Sequence, residues 1–289
     1  MRQMLYECLL WAQILNRVRI NFRAHQTLVI VLSHAHAVLQ EMKLMRHPTI
    51  FACLAMLAIW HSPAKADCDD TANTGVDWSG CAKKVIMLPN VNLSDAKLDG
   101  VDFTSTDLRG SNLERAVLDR ANLTYTSFKT ASLAGASMIK AFGFRTDLSE
   151  ADLSGANMSF AELYRSNLSG SNLSGVNLSR AGLPRADFTK ANLTGADLSK
   201  ADTIRATFDG ADLSNTNMSF AVLARASFKG AKLAGSDWSH SYLYRANFRD
   251  SDLSGVKGLQ QEQIMQSCGN DQTILPEGLV APKKWPCDE

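Results

Sequence analysis

Histidine is nearly missing from most of this 289-residue chain, and beyond residue 61 only His240 remains. That scarcity excludes a multi-histidine metal site there and removes the usual base of nucleophilic catalysis. An excess of either charge is lacking too. With 30 basic and 29 acidic side chains the formal net charge is +1, which excludes a strongly basic nucleic-acid binder and a strongly acidic mimic of DNA. Hydrophobic runs are short: Ile50 to Trp60 spans eleven residues, against the roughly 20 that cross a bilayer as a helix. Glycines mark corners, and none forms a phosphate-binding loop between a strand and a helix.

The totals hide two segments of different composition. Residues 1–66 hold 7 Lys and Arg against 2 Asp and Glu, whereas 67–289 hold 23 against 27, a net charge of −4. Met45-Arg46-His47-Pro48, the run from Ile50 to Trp60, and Ser62-Pro63-Ala64-Lys65-Ala66 make up a secretory signal: a basic start, a short apolar stretch and small residues before the cut. The expected signal peptide is 42–66, with cleavage between Ala66 and Asp67. A membrane anchor is the competing reading. Residues 1–41 then form a non-native upstream extension, the true start being Met42 or Met45, with a long basic leader as the alternative. Export implies a periplasmic or secreted protein in an oxidising compartment.

From Val91 to Gly255 the chain divides into 33 quintets without an insertion or deletion. The third position is Leu, Phe, Met or Trp in 31 of the 33, the exceptions being Gly143 and Thr203, and the first is always Ala, Ser, Thr or Val. A helix would spiral such residues around its surface, and a continuous strand would send them to alternate faces. Within one quintet, however, the first and third residues point the same way, and Ser, Gly, Asn or Asp at the fourth and fifth turn the chain. Phe128, Phe188, Phe208, Phe228 and Phe248 are separated by multiples of twenty, and arginine recurs every twenty residues from Arg145 to Arg245. Four quintets per coil account for both.

These A(D/N)Lxx units, such as AELYR at 161–165 and ANLTG at 191–195, resemble the pentapeptide-repeat family. The resemblance implies an all-β, right-handed quadrilateral β-helix of about eight to nine 20-residue coils, with first and third residues inward. Strands ~4.8 Å apart make that a rod on the order of 40 Å long. Residues 67–90 are then expected as an N-terminal cap with partial repeats, 91–255 as the β-helix, and 256–289 as a short helix and extended tail covering the other end. Cys68, Cys81, Cys268 and Cys287 lie in two pairs at opposite ends of such a rod. Only Cys68 with Cys81 and Cys268 with Cys287 can approach the roughly 6 Å Cα separation of a disulfide.

No base–nucleophile pair or metal-ligand cluster stands out, so the chain reads as non-catalytic and free of cofactors. One face departs from the repeat. The third side, 101–105, 121–125 and so on to 241–245, carries outward Phe142, Phe144, Tyr164, Tyr242 and Tyr244, with Ile204, Val222 and Pro184. Phe142 and Phe144 are expected to refill the gap left at Gly143. One corner of this side is Arg145, Arg165, Arg185, Arg205, Arg225 and Arg245, and the preceding corner reads Lys140, Phe160, Arg180, Lys200, Phe220, His240. Arginine suits bidentate contacts with phosphate or carboxylate, and exposed rings supply stacking area. The expectation is an exported scaffold that docks an anionic envelope polymer or acidic protein. The bland alternative is that arginine is tolerated at a turn, with its guanidinium on Tyr164 or Tyr244 or paired with Asp. The family resemblance adds another reading, a cytosolic DNA mimic that protects a type II topoisomerase. Nucleic acid is not the expected partner, no membrane span is expected in the mature form, and the caps suit an end-to-end homodimer or a monomer.

Overall fold

The computed structural model describes residues 67–285 and residue 287. The expected signal segment at 42–66, with Ala66, and the extension at 1–41 lie outside the described residues.

The quintet 191–195 shows why the repeat folds as it does. Each of its five backbone N–H groups has its own destination. Asn192 donates back to the Ser171 carbonyl of the preceding coil at 2.9 Å, while Leu193 and Gly195 donate forward to Asp212 (2.7 Å) and Ser214 (3.0 Å). Ala191 closes the corner by donating to Phe188 at 3.0 Å. The fourth N–H, of Thr194, donates to the Asn192 side chain at 3.1 Å. An Asp or Asn at the second position therefore clips the turn that follows it.

That routing joins each coil to the next through parallel contacts twenty residues apart. One turn of the coil makes four of them, Asn92 to Asn112, Lys97 to Val117, Asp102 to Asn122 and Asp107 to Ser127, which gives four sides. Sides stay short because every fifth residue from Asp95 to Asp250 sits in the left-handed region, whether glycine (Gly195, φ 69°) or not (Arg185, φ 60°). Only β1 (Phe142–Phe144) and β2 (Glu162–Tyr164) extend beyond a single pairing, and they run parallel with Gly143 opposite Leu163.

First and third residues fill the interior. Phe188, Phe208, Phe228 and Phe248 stack through the core with ring centroids 4.7, 5.0 and 5.4 Å apart. Buried hydroxyls at first positions donate to carbonyls, either across coils (Thr126 to Phe103 and Ser251 to Phe228, both 2.7 Å) or within the turn (Ser171 to Leu168 and Thr216 to Leu213, both 2.7 Å). Gly143 is not refilled by Phe142 and Phe144. Second and fourth positions point outward, and Phe142 is 44% exposed. The space beside Gly143 is taken by Thr146, whose hydroxyl would clash with a Cβ at residue 143 and donates to the Leu123 carbonyl at 2.8 Å. Thr203 is fully buried with its hydroxyl 3.5 Å from the Val222 carbonyl.

The register of pairing changes only after Lys257. Asn247 pairs with Cys268 and Asp252 with Ile274, because α1 (Gln261–Met265) interrupts the count. Its Gln263 amide donates to the Ser241 carbonyl at 2.7 Å, standing in for the backbone donor of a further coil, and Ile264 is buried. Trp285 lies on the backbone of Gly269, where any side chain would meet its ring. Cys268 and Cys287 are bonded, with Cα atoms 5.4 Å apart. At the other end Cys68 is bonded to Cys81 at a Cα distance of 5.5 Å, and the Lys83 ammonium lies 3.9 Å from the Trp78 ring centroid.

Candidate binding face

The clip that holds the turns is missing from much of the third side. Asp102, Asn122 and Asp202 make it there, at 3.0, 3.1 and 3.0 Å. In the remaining five coils the second position is Phe142, Glu162, Gly182, Val222 or Tyr242. Gly182 has no side chain to offer, and the fourth residue of its quintet is Pro184, which has no N–H to satisfy. The backbone N–H groups of Ala224 and Tyr244 have no acceptor among the described residues.

Apolar rings replace the lost acceptors. Tyr125, Phe142, Phe160, Tyr164, Phe220, Tyr242 and Tyr244 are the exposed large aromatics among the described residues, and all lie on this side or its two corners. Tyr125 meets Phe144 edge to face at 5.7 Å, and Tyr242 lies parallel to Tyr244 at 6.3 Å. On the preceding corner Phe160 lies 5.4 Å from the Arg180 guanidinium, while Phe220 stacks on His240 at 4.8 Å.

The six-arginine column borders these rings. Arg145, Arg165, Arg185, Arg205 and Arg225 are exposed and Arg245 is half-buried. Arg145 and Arg165 lie 5.4 and 5.9 Å from the Phe144 ring; Tyr164 and Tyr244 do not serve them. None of the six is in an ion pair among the described residues, although corner arginines on other columns are: Arg115 pairs with Asp95 at 2.8 Å, and Arg120 with Asp99. Arg225 and Arg245 share a hollow of about 450 Å³ with Arg249, beside the Cys268–Cys287 bond. A second, of about 520 Å³, opens over Gly182 between Phe142, Phe160 and Tyr164, and is lined by Lys140, Arg180 and Lys200 together with Glu162 and Asp202.

The structure thus gathers the sequence-derived arginines and rings on one face. The four cysteines lie at the ends of the coil stack. Tyr125, Glu162, Gly182 and Asp202 join the face without having been singled out. Reading down the second position of the third side alone would have found the last three. Carboxylates on other sides are committed to structure. Side-chain and backbone bonds from Ser239 hold Asp237 below the usual carboxylate range, and those from Ser254 do the same for Asp252. No group of three or more potential metal ligands occurs among the described residues, and no helix among them is long and apolar enough to cross a membrane.

Two family models match the chain. One, described as pentapeptide repeats (8 copies), covers 87–115, 111–142 and 144–180, and the other, a pentapeptide repeat region, covers 181–257. Among solved structures the chain is similar to HetL, a pentapeptide repeat protein involved in heterocyst differentiation regulation from the cyanobacterium Nostoc sp. strain PCC 7120. That match has 25% identity and a TM-score of 0.32, over 66% of this chain and 94% of that one. It is also similar to QnrB1, a plasmid-mediated fluoroquinolone resistance protein, at 18% identity and a TM-score of 0.42, over 66% and 94%. A pentapeptide repeat protein of the Arabidopsis thaliana thylakoid lumen matches at 33% identity and a TM-score of 0.27, over 39% and 70%. A search of curated proteins finds no match.

Proposed function

Because the chain belongs to the pentapeptide-repeat family, whose members fold as right-handed quadrilateral β-helices and are generally structural or binding proteins, we propose that it is a non-catalytic, exported binding protein of the cell envelope. Its third face docks an extended anionic partner. One observation carries this reading: six arginines stand in a column beside exposed rings, without an ion pair among the described residues, on a protein whose mature part has net charge −4. On other columns the corner arginines Arg115 and Arg120 each pair with an aspartate of the previous coil, while Arg180 lies over the Phe160 ring. Six like charges stacked coil on coil repel one another, and an anionic ligand relieves that repulsion.

The signal-like segment at 42–66 supports export, and so do four cysteines placed to bond within the two ends. In this proposal α1 and the tail after it close the exposed backbone edge of the last coil. Two measurements test it. Intact mass of the native protein from fractionated cells should show an envelope chain beginning at Asp67 that gains one hydrogen per cysteine on reduction. A cytosolic chain beginning at Met42 or Met45, with free thiols, would remove export. Retention of the purified protein on heparin should fall steeply with salt, and R165E/R185E/R205E should abolish it; unchanged retention would count against the face. Protection of a type II topoisomerase needs acidic mimicry of DNA, which the arginine column opposes. Inhibition of gyrase supercoiling at low stoichiometry would favour that reading instead.

A further inference from the structure

The docking reading leaves the chemistry of the partner open, and three features of the third face narrow it. The first is spacing. Successive column arginines belong to successive coils, so they advance by one strand separation, ~4.8 Å. An extended peptide repeats its side chains on one face every two residues, roughly 6.5 Å, and a strand of duplex DNA advances about 3.4 Å per phosphate. Neither stays in register over six coils. A linked pyranose ring spans close to the ~4.8 Å between strands. A carboxylate on every sugar, or on every second one, then stays in step with the column.

The second feature is asymmetry across the face. The fifth-position edge is cationic throughout. The second-position edge carries Glu162 and Asp202 around Gly182, and the Glu162 carboxylate has no hydrogen-bond or ion-pair partner among the described residues. Lys140, Arg180 and Lys200 line the same hollow from the preceding corner, so that edge offers carboxylate acceptors among cations, and a polyanion without donors leaves those acceptors unused. A sugar chain with its carboxylates toward the arginines presents hydroxyl donors there, which a carboxylate accepts at short range. The third is the floor, where Phe142, Tyr164 and Tyr242 are exposed to about half of their surface or slightly less. Flat apolar rings suit the C–H faces of pyranoses, and the missing side chain at Gly182 leaves room for one.

Resting on the docking reading above, we propose that the third face binds a linear uronic-acid polysaccharide, about one sugar per coil. Its carboxylates lie along Arg145 to Arg245 and its hydroxyl edge lies toward Glu162 and Asp202.

Calorimetry on the full native protein tests this with oligogalacturonates of increasing length. The comparison probes are neutral cello-oligosaccharides of equal length, poly-glutamate and single-stranded oligothymidylate. Affinity for the oligogalacturonates should rise with each added sugar and level off near six, the number of column arginines. R165E/R185E/R205E should weaken it by about tenfold or more, since charge-assisted contacts are lost and reversed. E162A/D202N is the discriminating variant; the amide oxygen that D202N introduces still accepts the Ile204 N–H, as the Asp202 carboxylate does. Loss of hydroxyl acceptors weakens sugar binding several-fold, whereas relief of repulsion tightens binding of any featureless polyanion. Tighter binding by E162A/D202N, or equal affinity for poly-glutamate or oligothymidylate, would overturn the sugar assignment and leave polyanion docking intact. Failure of every polyanion to bind would overturn both.

Discussion

Arg185 and Gly195 share one backbone conformation, with φ at 60° and 69°, yet only glycine adopts it without strain. For an L-residue the left-handed region costs roughly 1–2 kcal/mol, partly offset because glycine loses more chain entropy on folding. The corner after the first side accordingly reads glycine at 135, 155, 175, 195 and 235, all in the left-handed region, while the corner after the third keeps arginine six times. Arg185→Gly should therefore raise stability by about 0.5–1 kcal/mol in urea unfolding while reducing retention on polyanions. Loss of both stability and retention would mean that the arginine stem packs, and would return the column to scaffold. A second residue-scale test lies in the core. Ser166 is buried, and its hydroxyl has no partner among the described residues, unlike the hydroxyls of Ser171 and Ser251. Alanine is the commonest residue at this repeat position, so Ser166→Ala should stabilise by about 1–2 kcal/mol, read as a shift of the urea midpoint at constant m.

The quintet as an element was legible in its inward positions and less so in its outward ones. Leu at nine successive centres of the first side, Leu93 to Leu253, and the small first residues announce a coil, because burial constrains them one by one. The second-position Asp and Asn read as turn formers, but their specific task, accepting the fourth N–H, appears only once the five N–H groups are counted. That count explains why Pro184 accompanies Gly182, while the outward direction of second positions explains why Thr146 rather than Phe142 occupies the space at Gly143. For some aspartates the same clip also bears on stability in acid. Ser79 bonds hold Asp77 below the ordinary carboxylate value of 3.8, and Ser239 and Ser254 bonds do the same for Asp237 and Asp252. A carboxylate whose folded pKa is depressed contributes stability that is full above its unfolded value and is lost as pH falls through the folded value. The midpoint temperature should therefore be flat above about pH 5 and fall below about pH 4. Replacing Asp77, Asp237 and Asp252 by asparagine keeps the acceptor and loses the charge, so the triple variant should show a shallower acid decline. An identical decline would place the acid sensitivity elsewhere.

At the scale of the whole molecule, a stack of coils touches only its neighbours, so its stability is a sum of local terms and its weakest points are its ends. In the middle, each coil is bonded on both sides by parallel contacts such as Asn172 to Asn192 and Asn192 to Asp212. The last full coil has a side-chain substitute on one side: Gln263 reaches the Ser241 carbonyl in place of a backbone donor. The segment carrying that glutamine is held by buried Ile264, by backbone bonds of Cys268 with Ala246 and Phe248 and of Ile274 with Ser251 and Leu253, by Trp285 against Gly269, and by the Cys268–Cys287 bond. Opening a disulfide that closes a loop of this length removes about 2–4 kcal/mol, but the loss should not spread evenly. Reduction should release amide protection in the coils around Trp238 and Phe248 and around Trp78, while the coils around Phe188 keep theirs in hydrogen exchange. Arg225, Arg245 and Arg249 line a hollow against the Cys268–Cys287 bond, so the C-terminal end of the arginine column should loosen with it and the Arg145–Arg205 stretch should not. A uniform loss of protection along the stack would mean that the rod unfolds as one cooperative body, with the end bonds securing its centre as much as its ends.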